Sequence, residues 1–341
     1  MSLSHSLKSF NTFGLSQCCS ALVEAHSKED IKHICLPLWQ DQQPLLVLGG
    51  GSNVVFTDDF HGTVVRVLSK GIKVSEDAVY FYLEVEAGEN WHELVEFTLA
   101  NGMPGLENLA LIPGTLGAAP IQNIGAYGVE FCDVCDWVEY LDLDSGDFFR
   151  LTATECQFSY RESIFKGALR GRAVITAVGL RLVKQWQPHL AYGPLQSFDP
   201  ASVTAADIFN KVCQVRREKL PDPNVLGNAG SFFKNPIVSA ACYLELAQRF
   251  STIVGYAQAD GSVKLAAGWL IEQAGLKGFI LGKAAVHDKQ ALVLVNRGGA
   301  TGQDICRLAQ HVIERVNDTF GVLLEAEPRI IGVTGEGELH V

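Results

Sequence analysis

The sequence predicts a chain of mixed helices and strands divided into two or three domains, and three observations carry that reading. Its 341 residues exceed the size at which a single hydrophobic core usually stops growing. Strand-like and helix-like segments succeed one another without a convincing internal repeat. A glycine-rich turn, GGGSN at 49–53, joins two strands, whereas a Rossmann dinucleotide site needs its glycine turn to open a helix.

Taken in order, QCCSALVEA at 17–25 reads as a strand, and SKED from Ser27 supplies a capping-box start for a helix to about residue 39. PLLVLG at 44–49 is a short buried-type strand, and VVF at 54–56 follows the glycines. Between them GGGSN can present successive N–H groups as an anion nest; the pattern alone fits a plain glycine turn equally well. VYFYLEVEAG at 79–88 predicts a strand, then comes a helix capped by Asn90, with Glu93 at its third position and Gly102 at its exit. Residues 105–128, GLENLALIPGTLGAAPIQNIGAYG, are apolar and glycine-rich with neither helical nor strand period. Such a segment inside a compact domain is usually functional, so a buried or ligand-covered loop is expected, with an irregular core crossover as the alternative.

VCDWVEYLDL predicts a strand, DSGD a turn, then FFRLTA, SYRESIF and a strand RAVITAVGLRL ending at Leu182. A helix capped at Thr204 runs through VCQVRREK and stops before the proline-rich LPDP, the preferred domain boundary. Beyond it lie GSFFKNP, a helix from Ser239, a helix within KLAAGWLIEQAG, a strand QALVLVN, a helix after Gly302 and a last strand LLEAEPRIIGV.

Composition narrows the function. With 48% hydrophobic and 19% charged residues the chain has an ordinary globular balance. A net charge of −11 without a dense basic run argues against nucleic-acid binding while leaving room for a local anion site. The start of the sequence lacks a signal-peptide pattern, and no apolar run is long enough to span a bilayer, so a cytoplasmic protein without membrane partners is expected. Nine scattered cysteines do not form a disulfide framework. The one CxxC, Cys132 to Cys135, has no partner pair and strand-like flanks, so free thiols are expected and no metal site.

Polar groups in unusual settings are Arg161 in SYRES, Ser231 in GNAGSFFKNP and Glu327 in the apolar LLEAEPRII. Singly, each has a plainer explanation: a surface cation, a turn hydroxyl, a solvated strand face shared by Glu325, Glu327 and Arg329. Together they occur in one order with NTFG at 11–14, GGGSNV at 49–54, IPGTLGAAPIQNIGAYG at 112–128, YRESIFK at 160–166 and KLPDP at 219–223. In that order the chain resembles the UDP-N-acetylenolpyruvoylglucosamine reductase family over nearly its whole length.

The resemblance implies a three-domain α+β flavoprotein of the vanillyl-alcohol-oxidase (PCMH-type FAD-binding) superfamily. Residues 1–68, completed by 331–341, and residues 69–219 would form two FAD-binding subdomains, and residues 220–330 the substrate-binding domain. The implied activity is NADPH-dependent reduction of UDP-N-acetylglucosamine enolpyruvate to UDP-N-acetylmuramate through noncovalent FAD, in bacterial peptidoglycan synthesis, and a monomer is expected. By motif match, Gly49, Gly51, Ser52 and Asn53 would hold the FAD pyrophosphate, and Ile112, Pro113, Gly114, Thr115, Gln122, Asn123, Gly125 and Tyr127 would lie along or near the flavin. Ser231 matches the proton donor, and Arg161 and Glu327 the residues that polarise the enolpyruvyl carboxylate. Tyr192, Lys219, Asn235, Tyr256 and Gln290 match contacts to the sugar nucleotide, with Tyr192 in the extra segment of the tyrosine-loop subtype.

A serine hydroxyl is too weak an acid for most bases near neutral pH, but it can protonate a carbanion-like enediolate. Phe232 and Phe233 beside it are candidates to exclude water. Two departures from the family pattern stand out. Pro328 follows the matched glutamate, which puts that segment at a strand edge or end and leaves Glu325 and Glu327 to be separated, since they share strand parity. GAAP at 117–120 exchanges only small residues and is expected to leave FAD binding intact. The competing readings are a sugar or lactone oxidase of the same superfamily, which often tethers its flavin covalently, and a non-catalytic nucleotide-binding module, which need not keep Arg161, Ser231 and Glu327 together.

Overall fold

The structure, a computed structural model, describes residues 3–339, and the chain divides into two compact units. The first comprises Cys19–Gly51 and His61–Glu218 with the residues up to His5; the second comprises Ser6–Cys18, Ser52–Phe60 and the chain from Lys219 onward. The cut after Glu218 falls beside LPDP. Ser6–Cys18 and Ser52–Phe60 cluster with the second unit for a pairing reason: strand Val54–Phe56 runs parallel to Arg329–Ile331, with Val55 opposite Ile330, and Asn228 N–H donates to the Thr12 carbonyl at 3.0 Å.

In the first unit, helix Lys28–Gln40 starts where Ser27 Oγ accepts the Asp30 N–H at 3.0 Å. Strand Leu45–Leu48 lies parallel to Phe60–Val67, Leu45 opposite Thr63. A parallel pair cannot be joined by a hairpin, so the intervening chain has to leave the sheet, and GGGSN is where it departs. A second, antiparallel sheet has the order Phe148–Thr152, Cys135–Asp142, Ala173–Val183, Tyr80–Glu86, Ile72–Glu76. Its central strand is buried without a break from Val174 to Leu180, as its continuous apolar run requires. Helix Trp91–Ala100 is capped by Asn90, whose side chain accepts the Glu93 N–H at 3.1 Å. Helix Ala205–Lys219 opens with Thr204 and Asp207 exchanging hydrogen bonds of 2.9 and 3.2 Å.

In the second unit, a sheet of order Gly227–Ser231, Val293–Asn296, Ala284–Val286, Ile280–Leu281 and a three-stranded sheet of order Ile237–Val238, Val263–Leu265, Gly255–Ala257 accompany three helices, Ala240–Arg249, Ala267–Gln273 and Gly302–Phe320. The last begins at a Thr301–Asp304 capping box and ends at Gly321, whose φ of +67° suits glycine. Its residues Ile305, Leu308, Val312, Ile313, Val316 and Phe320 recur every three or four positions, are buried, and form the core with Phe232, Phe233 and Leu294. The chain is thus α+β. Among the described residues no helix is long and apolar enough to cross a membrane, and no group of three His, Cys, Asp or Glu residues is arranged to hold a metal ion.

Candidate active site

In the first unit two glycine-rich segments form one ledge of backbone. A Cβ at Gly49 would lie 2.3 Å from Thr115 Oγ1, and one at Gly50 only 2.8 Å from Gly114 Cα, so neither position admits a side chain without a shift. Gly51 takes φ +63°. The 105–128 loop is pinned from behind: Trp91 N–H donates to the Gly114 carbonyl at 3.1 Å, Leu116 N–H to Glu89 at 2.8 Å and Gly117 N–H to Ala87 at 2.8 Å. His92 Nδ1 accepts the Leu111 N–H at 3.1 Å. Leu111, Asn123 and Tyr127 hold positive φ of +57°, +45° and +51°, a strain that side chains rarely carry outside functional loops. The backbone is satisfied on the inner side, while Ile112, Gly114 and Thr115 are half-buried and Pro113 is exposed.

Asn123 is fully buried. Its Nδ2 donates to Glu130 Oε2 at 2.9 Å and to the Ser159 carbonyl at 3.1 Å, and its Oδ1 accepts the Cys132 N–H at 2.9 Å. Its side chain is a strut between the loop and the SYRES turn. On that turn Arg161 has φ +58° and donates through Nη2 to the Gly125 carbonyl at 3.0 Å, so the loop and the predicted catalytic arginine come together. Gln122, Gly125 and Tyr127 are half-buried along the same stretch. Tyr192 meets Tyr127 edge-on, with ring centroids 5.9 Å apart. Its segment hangs on two buried side chains: Asn108 Nδ2 donates to the carbonyls of Tyr127 and His189, each at 3.0 Å, and Glu107 accepts the Trp186 N–H at 2.6 Å.

Sequence reasoning missed Arg216. Burial pushes its guanidinium below the usual arginine range, with Tyr127 opposing that shift, and its Nε has no hydrogen-bond partner. A buried cationic donor without an acceptor is a place for an anionic ligand group. The signal was available: Ile208, Val212 and Arg216 fall four apart on one helical face, and the first two are core residues. The glycine ledge and this orphan donor both fit a dinucleotide such as FAD.

In the second unit Ser52 is half-buried, while Asn53 donates through Nδ2 to the Glu327 carbonyl at 3.3 Å and accepts the Arg329 N–H on its own carbonyl at 3.0 Å. Ser231 ends strand Gly227–Ser231 opposite Val293. GSFFK and LEAEP then run antiparallel about a Phe233–Ala326 bridge, with Glu327 N–H donating to the Phe232 carbonyl at 2.8 Å and Lys234 N–H to the Glu325 carbonyl at 2.9 Å. Glu327 is therefore tied by its backbone N–H to Phe232, the residue that follows Ser231. Phe232 and Phe233, the candidates to exclude water, are 0% and 1% exposed and belong to the hydrophobic core of the second unit.

The last strand is shorter than expected, Arg329–Ile331, because Pro328 supplies no N–H to a ladder. Glu325 and Glu327 stand on either side of Ala326 and are separated by burial. The Glu325 side chain is 69% exposed and ion-paired with Lys234, whereas Glu327 is 9% exposed. Asn235 Oδ1 accepts the Ala267 N–H at 2.9 Å, and Gln290 Oε1 lies 3.3 Å from where a Gly268 Cβ would stand, so both converge on the start of helix Ala267–Gln273. Tyr256 is half-exposed on strand Gly255–Ala257, and Lys219 is the exposed last residue of helix Ala205–Lys219. All nine cysteines are free; burial pushes the thiols of Cys132 and Cys135 up, away from the thiolate that redox or metal chemistry needs.

Residues 222–331 match the family described as UDP-N-acetylenolpyruvoylglucosamine reductase, C-terminal domain, and residues 19–152 match the FAD binding domain. Proteins named UDP-N-acetylenolpyruvoylglucosamine reductase from Shewanella baltica and Shewanella oneidensis are 80% and 76% identical over the full length of both chains. One from Salmonella typhimurium is 53% identical over 98% of each chain. The crystal structure of UDP-N-acetylenolpyruvylglucosamine reductase from Thermus caldophilus shares the fold, with a TM-score of 0.64 at 24% identity over 95% of this chain and 97% of that one. With such identity sustained from end to end, the chain belongs to the UDP-N-acetylenolpyruvoylglucosamine reductase family.

Proposed function

We propose that the protein reduces the enolpyruvyl ether of UDP-N-acetylglucosamine to UDP-N-acetylmuramate with NADPH, through noncovalent FAD, in bacterial peptidoglycan synthesis. The observation that supports this reading is the antiparallel pairing of GSFFK with LEAEP, which ties Glu327 to Phe232, one residue from Ser231, while Glu325 is engaged by Lys234. Bound FAD supplies the hydride relay between NADPH and the sugar nucleotide.

The protein's own residues do the rest. Gly49, Gly51, Ser52 and Asn53 hold the pyrophosphate, and Ile112, Pro113, Gly114, Thr115, Gln122, Gly125 and Tyr127 offer the ledge along the flavin. Asn123 supports that ledge from within, and Arg216 faces negative charge. The substrate double bond gains a hydride at its terminal carbon and a proton at the ether carbon. Ser231 gives that proton, its O–H bond breaking as the new C–H bond forms, and solvent restores it, so each turnover consumes one NADPH and one proton. Arg161 and Glu327 orient and polarise the enolpyruvyl carboxylate, so that charge developing there meets fixed partners in place of reorganising water. Tyr192, Lys219, Asn235, Tyr256 and Gln290 bind the sugar nucleotide, Lys219 as a cation for its diphosphate and Tyr192 from the tyrosine loop.

Residues 1–68 with 331–341, residues 69–219 and residues 220–330 serve as two FAD-binding subdomains and a substrate domain, a division supported by the two separate sheets of the first unit. The protein works as a cytoplasmic monomer without nucleic-acid or membrane partners, in keeping with its net charge of −11. The test is anaerobic. NADPH is expected to bleach the flavin, and the enolpyruvyl sugar nucleotide to restore its absorbance; a flavin that stays reduced on that second addition overturns the reading.

A further inference from the structure

We infer that Asn228 is a positioning residue that sets the direction of the Ser231 hydroxyl, an inference that rests on the serine's proposed role as proton donor. Asn228 lies opposite Val295 and Ser231 opposite Val293, so three steps on one strand answer two on the other. The strand holds one extra residue, a β-bulge. Without it residue 230 would stand opposite Val293, and Ser231 would project from the other face of the sheet, because side chains alternate with period two.

The bulge is absorbed at Gly230, whose φ of +69° is left-handed. What holds it there is Asn228, a side chain only 4% exposed. Its Oδ1 accepts the Gly230 N–H at 2.9 Å, and its Nδ2 donates to the carbonyls of Leu226 at 2.8 Å and Pro221 at 3.0 Å. One acceptor and two donors are all in use, a set that an amide satisfies and a carboxylate or a methyl group does not. Asn228 thereby ties the LPDP turn to the bulge ahead of the serine.

The experiment compares Asn228→Ala, Ser231→Ala and the double variant as FAD-loaded enzymes, following flavin absorbance in each half-reaction and amide hydrogen exchange over residues 226–233. Asn228→Ala is expected to leave reduction by NADPH within about twofold and to slow reoxidation by the enolpyruvyl sugar nucleotide about 10- to 100-fold, the scale of a misplaced reacting group. In the double variant reoxidation is expected to match Ser231→Ala alone, because no hydroxyl remains to be aimed. Exchange at Gly230 is expected to accelerate. Equal slowing of both half-reactions, additive losses in the double variant, or unchanged exchange at Gly230 would overturn the inference. If Asn228→Ala does not fold, Asn228→Leu, which fills the space but offers no acceptor to the Gly230 N–H, takes its place under the same outcomes. Reoxidation unaffected by Ser231→Ala would instead sink the serine's assignment, whatever Asn228 does.

Discussion

Ser231 is placed opposite Val293 on its strand and Glu327 is held by its N–H bond to the Phe232 carbonyl, so replacing their side chains is expected to change chemistry more than fold. Ser231→Ala is expected to leave anaerobic reduction by NADPH nearly unchanged and to slow reoxidation about 10² to 10⁴-fold, the usual reach of general acid catalysis; Ser231→Cys, which keeps a proton in place, is expected to retain more. Stopped-flow absorbance of the two half-reactions checks both. The two glutamates separate by a different measurement. Glu327→Gln is expected to damage turnover far more than Glu325→Gln. Glu325→Gln removes one charged partner of Lys234, 7% exposed, and is expected to cost roughly 1–2 kcal/mol of stability in a denaturant titration. That lies below the 3–5 kcal/mol of a fully buried pair because Glu325 itself faces solvent. Tyr192→Phe is expected to raise the KM for the sugar nucleotide while flavin reduction is unaffected; an unchanged KM would remove its role.

The ledge at 49–51 and 111–115 behaves as one element, since Gly50 packs against the Gly114 backbone and Gly49 against the Thr115 side chain. Gly50→Ala would press a Cβ onto Gly114 Cα at 2.8 Å, an overpacking cost of about 1–3 kcal/mol, and is expected to weaken FAD retention, read as free-flavin fluorescence after gel filtration. His92 links the same loop to helix Trp91–Ala100 through the Leu111 N–H. Burial pushes its pKa down, with Glu96 and Glu93 opposing and Arg217 and Arg216 assisting. A histidine held neutral in the folded state contributes stability that is complete above its ordinary pKa of about 6.5 and is lost as pH falls through the lower folded value. Melting temperature is therefore expected to fall as pH drops below about 6.5, and less steeply in His92→Asn, whose amide oxygen accepts the same bond without titrating. An identical pH profile in the variant would place the acid sensitivity elsewhere, His287 being a second histidine lowered by burial.

On the scale of the whole molecule, a ligand that binds only the folded chain stabilises it by mass action. FAD at a hundredfold excess over its dissociation constant is expected to add about 2.7 kcal/mol, seen as a melting temperature that rises with added FAD. Acid precipitation is expected to leave all flavin in the supernatant, since the bond is noncovalent. Flavin that stays with the pellet would favour a tethered-flavin oxidase.

Local chemistry alone determined much of this protein. The caps at Ser27, Asn90, Thr204 and Ser239 mark helix starts where they are found, because a capping bond spans only three residues and is written in adjacent positions. The strand–glycine–strand order of GGGSN and the aperiodic 105–128 loop were equally legible. So was the disturbance at Pro328, since a missing N–H is a property of the residue itself. The tertiary structure alone decided the rest. Nothing near Val54 announces that it pairs with a strand beginning at Arg329, which draws Ser52–Phe60 into the second unit. Nothing in the parity of LEAEPR tells which glutamate meets Lys234, nor does GNAGS reveal that Gly230 takes the extra residue of a bulge. These outcomes depend on contacts between segments far apart in the chain, whose pairing free energy leaves no period, cap or turn signal in either segment alone.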